Sequence, residues 1–133
     1  MRRSGLFGGI LLPAGTGGQP CYNHPRYEPL WQVCEDLDMP VHTHSGWTPN
    51  YGNFQGSLGI YLHEITWWAH RPFWFLVWSG VFERHPRLRF VMSEQRAEWM
   101  NDTLRELDSR YELPMFRQLR NVLPLKPSES FRR

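Results

Sequence analysis

Three short apolar runs, separated by longer helical patterns, constrain the fold of this chain more than any other feature. They are residues 7–13 (FGGILLP), 40–44 (PVHTH) and 88–94 (LRFVMSE). None alternates cleanly between polar and apolar residues except at the two histidines of the second run. Near-continuous apolar strands are typical of a parallel sheet covered on both faces, and each intervening segment is long enough for a right-handed crossover. The sequence therefore predicts an α/β fold in the order β–α–β–α–β–α.

The helical segments carry apolar residues at spacings of three and four. The second segment spans about residues 58–83, and Pro72 is expected to kink or divide it. The third segment covers residues 97–112. The first, residues 27–39, has Pro29 in its first turn, where the missing N–H is not needed. Its apolar face consists of Leu30, Trp31, Cys34 and Leu37.

The composition is that of one globular domain, since the chain has 133 residues, of which 41% are hydrophobic and 21% charged. The net charge is only +2, and no basic stripe suggests nucleic-acid binding. Cys21 and Cys34 do not make a disulfide framework. The most apolar stretch, residues 73–82, is about half of the roughly 20 residues that a membrane-spanning helix needs. We therefore expect a cytoplasmic protein whose partners include neither nucleic acid nor a membrane.

Two architectures fit three parallel strands with amphipathic helices: a small doubly wound sheet and a piece of a (β/α)8 barrel. The doubly wound sheet lacks its usual glycine-rich signal, because neither GxGxxG nor GxxxxGK[ST] occurs. In a barrel, catalytic residues lie at the C-terminal ends of the strands. His44 ends the second run and Glu94 ends the third, so their placement favours the barrel.

His42 and His44 lie two residues apart on one strand, so their side chains point to the same side of it. Two imidazoles on one face suit a metal ion such as zinc, and ordinary polar residues at a strand end are the alternative. A catalytic zinc usually has three protein ligands, so Glu94 or another histidine would have to complete the set. Of the other histidines, His63 and His70 are expected at a surface or in packing contacts, and His85 in a turn.

Several segments resemble the amidohydrolase-related family of metal-dependent TIM-barrel hydrolases and decarboxylases, which includes aminocarboxymuconate-semialdehyde decarboxylase. They occur in the family's order and at roughly its spacing. The run GVFERHPRLRFVMSE is the most specific, and PLW followed by the strand PVHTHSG is the second. GGILLP, EWMNDTLRELDSRY and KPSESFRR complete a resemblance that covers nearly the whole chain.

The resemblance implies a role for each residue of interest. His44 matches the histidine after the fifth barrel strand, which binds the metal, and His42 is more suited to a supporting or core position. Glu94 stands where some members have a catalytic histidine after the sixth strand. A carboxylate there could act as a base or orient a metal-bound water, and a structural pair with Arg96 is the alternative.

The resemblance also implies that residues 1–133 form the central part of a single barrel domain, with strands 4 to 6 and their helices. The histidine pair of the first strand and the aspartate after the eighth would lie outside it. We therefore expect a metal-dependent hydrolase or decarboxylase, with zinc as the expected metal, that is inactive as this shortened chain. Its substrate would be a small carboxylated or aromatic molecule, for which Trp47, Tyr51 and Phe54 could line a pocket or merely pack on neighbouring helices. A non-catalytic gene product or interaction module is the alternative, and self-association through exposed sheet edges is expected.

Overall fold

The computed structural model describes residues 8–132. Within this range it contains one parallel sheet, whose strands follow each other in chain order: β1 (Ile10–Leu12), β2 (Val41–His44) and β3 (Phe90–Ser93). Ile10 pairs with Val41, and Val41 with Phe90. This order confirms the predicted α/β fold with parallel neighbouring strands. The predicted first strand began at Phe7, and the predicted domain included residues 1–7 and Arg133, all of which lie outside the described residues.

Helices connect the strands as the apolar spacing predicted. They are α1 (Glu28–Asp36), α2 (Ser57–Trp78), α3 (Val81–Arg84), α4 (Met100–Glu112) and α5 (Pro127–Phe131), with 3-10 helices at Pro25–Tyr27 and Pro114–Asn121. In the described part of the chain, no helix has the length and hydropathy needed to cross a membrane.

The long helical stretch is divided at Gly80 and not at Pro72, where the sequence predicts a kink or division. Helix α2 runs through Pro72, which is buried within it. Gly80 has φ +70°, a left-handed conformation that commonly ends helices and that glycine adopts without steric cost. A Cβ added at Gly80 would lie 2.7 Å from Val122 Cγ1. Close packing and a left-handed backbone therefore both require glycine where α2 ends and α3 begins.

The sheet has one covered face and one open face. Val41 and Thr43 point to the covered face and are fully buried. Here β1 and β2 pack with α1 and α2 in a core that includes Trp31 and Leu76, and a second cluster joins α2 to α4. Leu11, His42 and Val91 are partners in the strand register and alternate with those buried positions, so they share the other face. Leu11 is 63% exposed and Val91 39% exposed, which leaves this face uncovered by the described residues.

Candidate functional site

The structure brings the two predicted site residues, His44 and Glu94, together. His44 is the last residue of β2, and Glu94 follows directly after β3. His44 Nε2 lies 3.2 Å from Glu94 Oε2, and both side chains remain accessible. Parallel strands end at the same edge of a sheet, and this edge is the C-terminal one, where barrel enzymes carry their catalytic groups.

The backbone fixes which nitrogen of His44 faces Glu94. His44 Nδ1 contacts the carbonyl oxygen of Ser45. A carbonyl only accepts hydrogen bonds, so in this contact Nδ1 is the donor side. Nε2 is then the ring nitrogen that faces the Glu94 carboxylate. A backbone acceptor on the distal nitrogen is the usual support of a metal-binding histidine, because it fixes the tautomer and the ring orientation.

His42 has a packing environment that differs from that of His44. It is half-buried in the middle of β2, and a Cβ added at Gly9 would lie 2.4 Å from His42 Cδ2. The His42 ring therefore lies against the backbone at Gly9, beside the start of β1. This contact fits the supporting or core position expected for His42.

Two of the three predicted aromatic residues after His44, Trp47 and Tyr51, contact α2. The Trp47 and Trp68 rings have centroids 5.0 Å apart, and a Cβ at Gly15 would lie 2.2 Å from the Trp47 ring. Trp47 thus links the loop after β1 to α2. Tyr51 donates its hydroxyl to Glu64, and this hydrogen bond lowers the pKa of the Glu64 carboxyl. Phe54, the third predicted residue, is 79% exposed.

A charged network between α1 and the segment that leads into β3 was not predicted from the sequence. His85, expected only in a turn, does follow α3, but it is buried between two carboxylates of α1. Its Nε2 lies 2.9 Å from Glu28 Oε1, and its Nδ1 lies 3.4 Å from Glu35 Oε2. Arg84 donates two hydrogen bonds of 2.8 Å to Glu28, which is the main cause of a Glu28 pKa lowered to about 2.

This network has the position of a structural element. It links α1 to α3 and to the turn before β3, and none of its members directly follows a strand end, where a barrel carries its catalytic groups. A sequence signal for it existed, because Glu28 and Glu35 lie three residues before and four residues after Trp31. They therefore share the buried face of α1.

His44 and Glu94 fit one part of a metal site and do not complete it. Among residues 8–132, no three or more histidine, cysteine, aspartate or glutamate side chains are placed to hold one ion. A catalytic zinc usually takes three protein ligands. Glu94 pairs with His44 and has no ion pair with Arg96 among the described residues. The pair with Arg96 that the sequence left open is therefore not the arrangement found.

Comparisons with known proteins agree on the fold. The family model described as amidohydrolase matches residues 2–127. A search of curated proteins finds no significant match. Among solved structures, an amidohydrolase from Mycobacterium avium subsp. paratuberculosis K-10 aligns with a TM-score of 0.64 and 17% identity, over 92% of this chain and 33% of that one.

Two decarboxylases have the same fold over a similar share of their length. The 5-carboxyvanillate decarboxylase from Sphingomonas paucimobilis aligns with a TM-score of 0.64 and 20% identity, over 94% of this chain and 38% of that one. The 2,6-dihydroxybenzoate decarboxylase from Rhizobium aligns with a TM-score of 0.53 and 24% identity, over 80% of this chain and 35% of that one. The chain thus spans only between a third and two fifths of these three structures.

Proposed function

Because the chain belongs to the amidohydrolase family, we propose that it supplies His44 and Glu94 to the active site of a metal-dependent hydrolase or decarboxylase. The observation that carries this proposal is their 3.2 Å approach at the C-terminal edge of two neighbouring parallel strands. The loops at this edge are where barrel enzymes build their active sites.

The two residues have separate proposed roles. His44 would hold the metal through Nε2, since Nδ1 is engaged by the Ser45 carbonyl. A bound divalent metal, for which we propose zinc, supplies a Lewis acid for a water or a substrate carboxylate. Glu94 would act as a base or orient a water molecule, because its carboxylate is accessible and beside that nitrogen.

We propose a small aromatic carboxylic acid as the substrate. Two of the similar structures are named as decarboxylases of 5-carboxyvanillate and 2,6-dihydroxybenzoate, both of which are aromatic carboxylic acids. Trp47 lies three residues after His44 and is 39% exposed. It offers an aromatic surface to a flat ring near the strand ends.

The proposal includes completion of the site by other strands. We propose that residues 1–133 form the central part of a single barrel domain, equivalent to strands 4 to 6. The open sheet face, with Leu11 63% exposed, would be covered by the remainder of the barrel. That remainder would also supply the missing metal ligands, so the chain by itself would be inactive.

The test compares the chain alone with the chain co-expressed with the polypeptide encoded by the DNA flanking its reading frame. Each preparation is incubated with zinc and a panel of hydroxylated benzoates, and CO2 release and substrate loss are measured. We expect activity only in the assembled protein. Glu94→Gln should lower it by about 10²–10⁴-fold, the usual contribution of a positioned acid or base, and His44→Ala should also abolish most of it. The control is His63→Ala, which removes an exposed histidine of α2 and should have no effect.

Two results would count against the proposal. Activity that survives both His44→Ala and Glu94→Gln would show that the reaction does not use this pair. Flanking DNA without a histidine-pair segment, together with no activity in any preparation, would favour the non-catalytic alternative.

A further inference from the structure

We infer that Gln95 positions the His44–Glu94 pair through a buried hydrogen bond to Thr43, an inference that rests on the function proposed above. Gln95 is 1% exposed and Thr43 is fully buried. Gln95 Nε2 donates to Thr43 Oγ1 over 2.8 Å. This bond joins the turn after β3 to the middle strand of the sheet.

The bond lies directly beneath the candidate site. Thr43 precedes His44 in β2, and Gln95 follows Glu94. Neighbouring residues of a strand point to opposite sides, so Thr43 points to the covered face and His44 to the open face. A fixed separation between Thr43 and Gln95 therefore sets the separation of His44 and Glu94.

The backbone around Gln95 is held in an unfavourable conformation. Glu94 has φ +55° and Arg96 has φ +56°, both in the left-handed region. Residues with a Cβ rarely adopt it, and such backbone persists where the surroundings hold it in place. Trp99 Nε1 donates to the Gln95 carbonyl over 2.8 Å. The turn is thus fixed through both the side chain and the main chain of Gln95, and its conformation directs Glu94 towards His44.

Packing alone does not account for glutamine at this position. Gln95 Oε1 is buried and has no hydrogen-bond partner among residues 8–132. A leucine would fill the space without leaving a buried polar oxygen unpaired, which is normally costly. The feature that glutamine provides and leucine cannot is the Nε2 hydrogen bond to Thr43.

The test measures the approach of His44 and Glu94 in the full chain without metal. In an NMR spectrum of the unmodified protein we expect a nuclear Overhauser effect between the His44 ring proton Hε1 and the Glu94 Hγ protons. Gln95→Leu and Thr43→Val remove one partner each at nearly constant volume, and both should abolish this signal. Thr43→Ser keeps the hydroxyl and should retain it. Signals between Val41 and Phe90 report that the sheet is intact, so a general loss of structure is recognised.

The inference is overturned if the His44–Glu94 signal is absent from the unmodified protein or persists in both Gln95→Leu and Thr43→Val. It is also overturned if Thr43→Ser loses the signal like Thr43→Val, since the hydroxyl would then not be the relevant group. If Gln95→Leu fails to fold, the comparison of Thr43→Val with Thr43→Ser tests the inference by itself. Failure of the proposed function is separate, because it would appear as activity that is insensitive to His44→Ala.

Discussion

Replacing Glu28 with glutamine should destabilise the protein at neutral pH, and the effect should vanish in acid. Glu28 accepts two hydrogen bonds from Arg84 and lies 2.9 Å from the buried His85. These contacts lower its pKa from 4.5 to about 2. Because the pKa is depressed on folding, the ionised group stabilises the native state above about pH 4.5, and this contribution is lost as the pH falls towards 2.

The magnitude follows from the pKa shift after a correction for exposure. A shift from 4.5 to about 2 corresponds to roughly 3 kcal/mol at about 1.4 kcal/mol per unit. The Glu28 side chain is 39% exposed and that of Arg84 is 44% exposed. Solvent screening therefore reduces the contribution to about 1 kcal/mol. Glutamine keeps the size of the side chain and an acceptor oxygen, so the change removes mainly the charge.

The assay is urea unfolding at fixed protein concentration, followed by circular dichroism between pH 2 and 7. The free energy of unfolding of the unmodified protein should exceed that of Glu28→Gln by about 1 kcal/mol at pH 7. The two free energies should converge near pH 2. The control is Glu106→Gln, since Glu106 pairs with Arg110 on an exposed helix surface and both are more than half exposed; it should cost at most about 0.5 kcal/mol. Equal stability at pH 7, or a difference that persists unchanged at pH 2, would refute the reasoning.

Three further predictions concern metal binding, packing and association. Calorimetry with zinc on the chain alone should show no tight stoichiometric site, since three ligands are needed; a nanomolar site lost in His44→Ala would contradict this. Gly15→Val should lower the stability measured by thermal unfolding by about 1–3 kcal/mol, because its Cβ would overlap the Trp47 ring. Gly59→Ala, on α2 with open space around it, should instead raise the stability by about 0.5–1 kcal/mol. Equal effects of the two changes would argue against the Trp47 contact. The chain alone should self-associate in size-exclusion chromatography through its exposed sheet edges and open face, and Leu11→Lys should reduce this; a monomer with a sharp unfolding transition would count against it.

Local pattern was sufficient for the parallel strand order and for the edge of the sheet at which His44 and Glu94 lie. Apolar runs and helical spacing are set by which faces of each element are buried, and crossover rules then leave few ways to arrange three parallel strands. His44 and Glu94 could be placed at the C-terminal edge for this reason. Helix boundaries were predicted less accurately. Helix α4 begins at Met100 and not at residue 97, because residues 94–99 form a turn after β3. The division of the long helical stretch also depended on Gly80, which must be glycine because of its left-handed backbone and because Val122, far along the chain, packs against it.

The sequence by itself determined that this chain forms parallel strands with two polar residues at one edge, because periodicity and strand ends are properties of neighbouring residues. Only the tertiary structure decided which side chains meet. The Gln95–Thr43 hydrogen bond joins residues 52 positions apart, and the His85–Glu28 contact joins residues 57 positions apart. No local pattern specifies such pairs, since each depends on how the helices pack against the sheet. The same packing buries His85, which the sequence predicts only in a turn, against the carboxylate of Glu28. It also places Nε2 of His44 beside the carboxylate of Glu94.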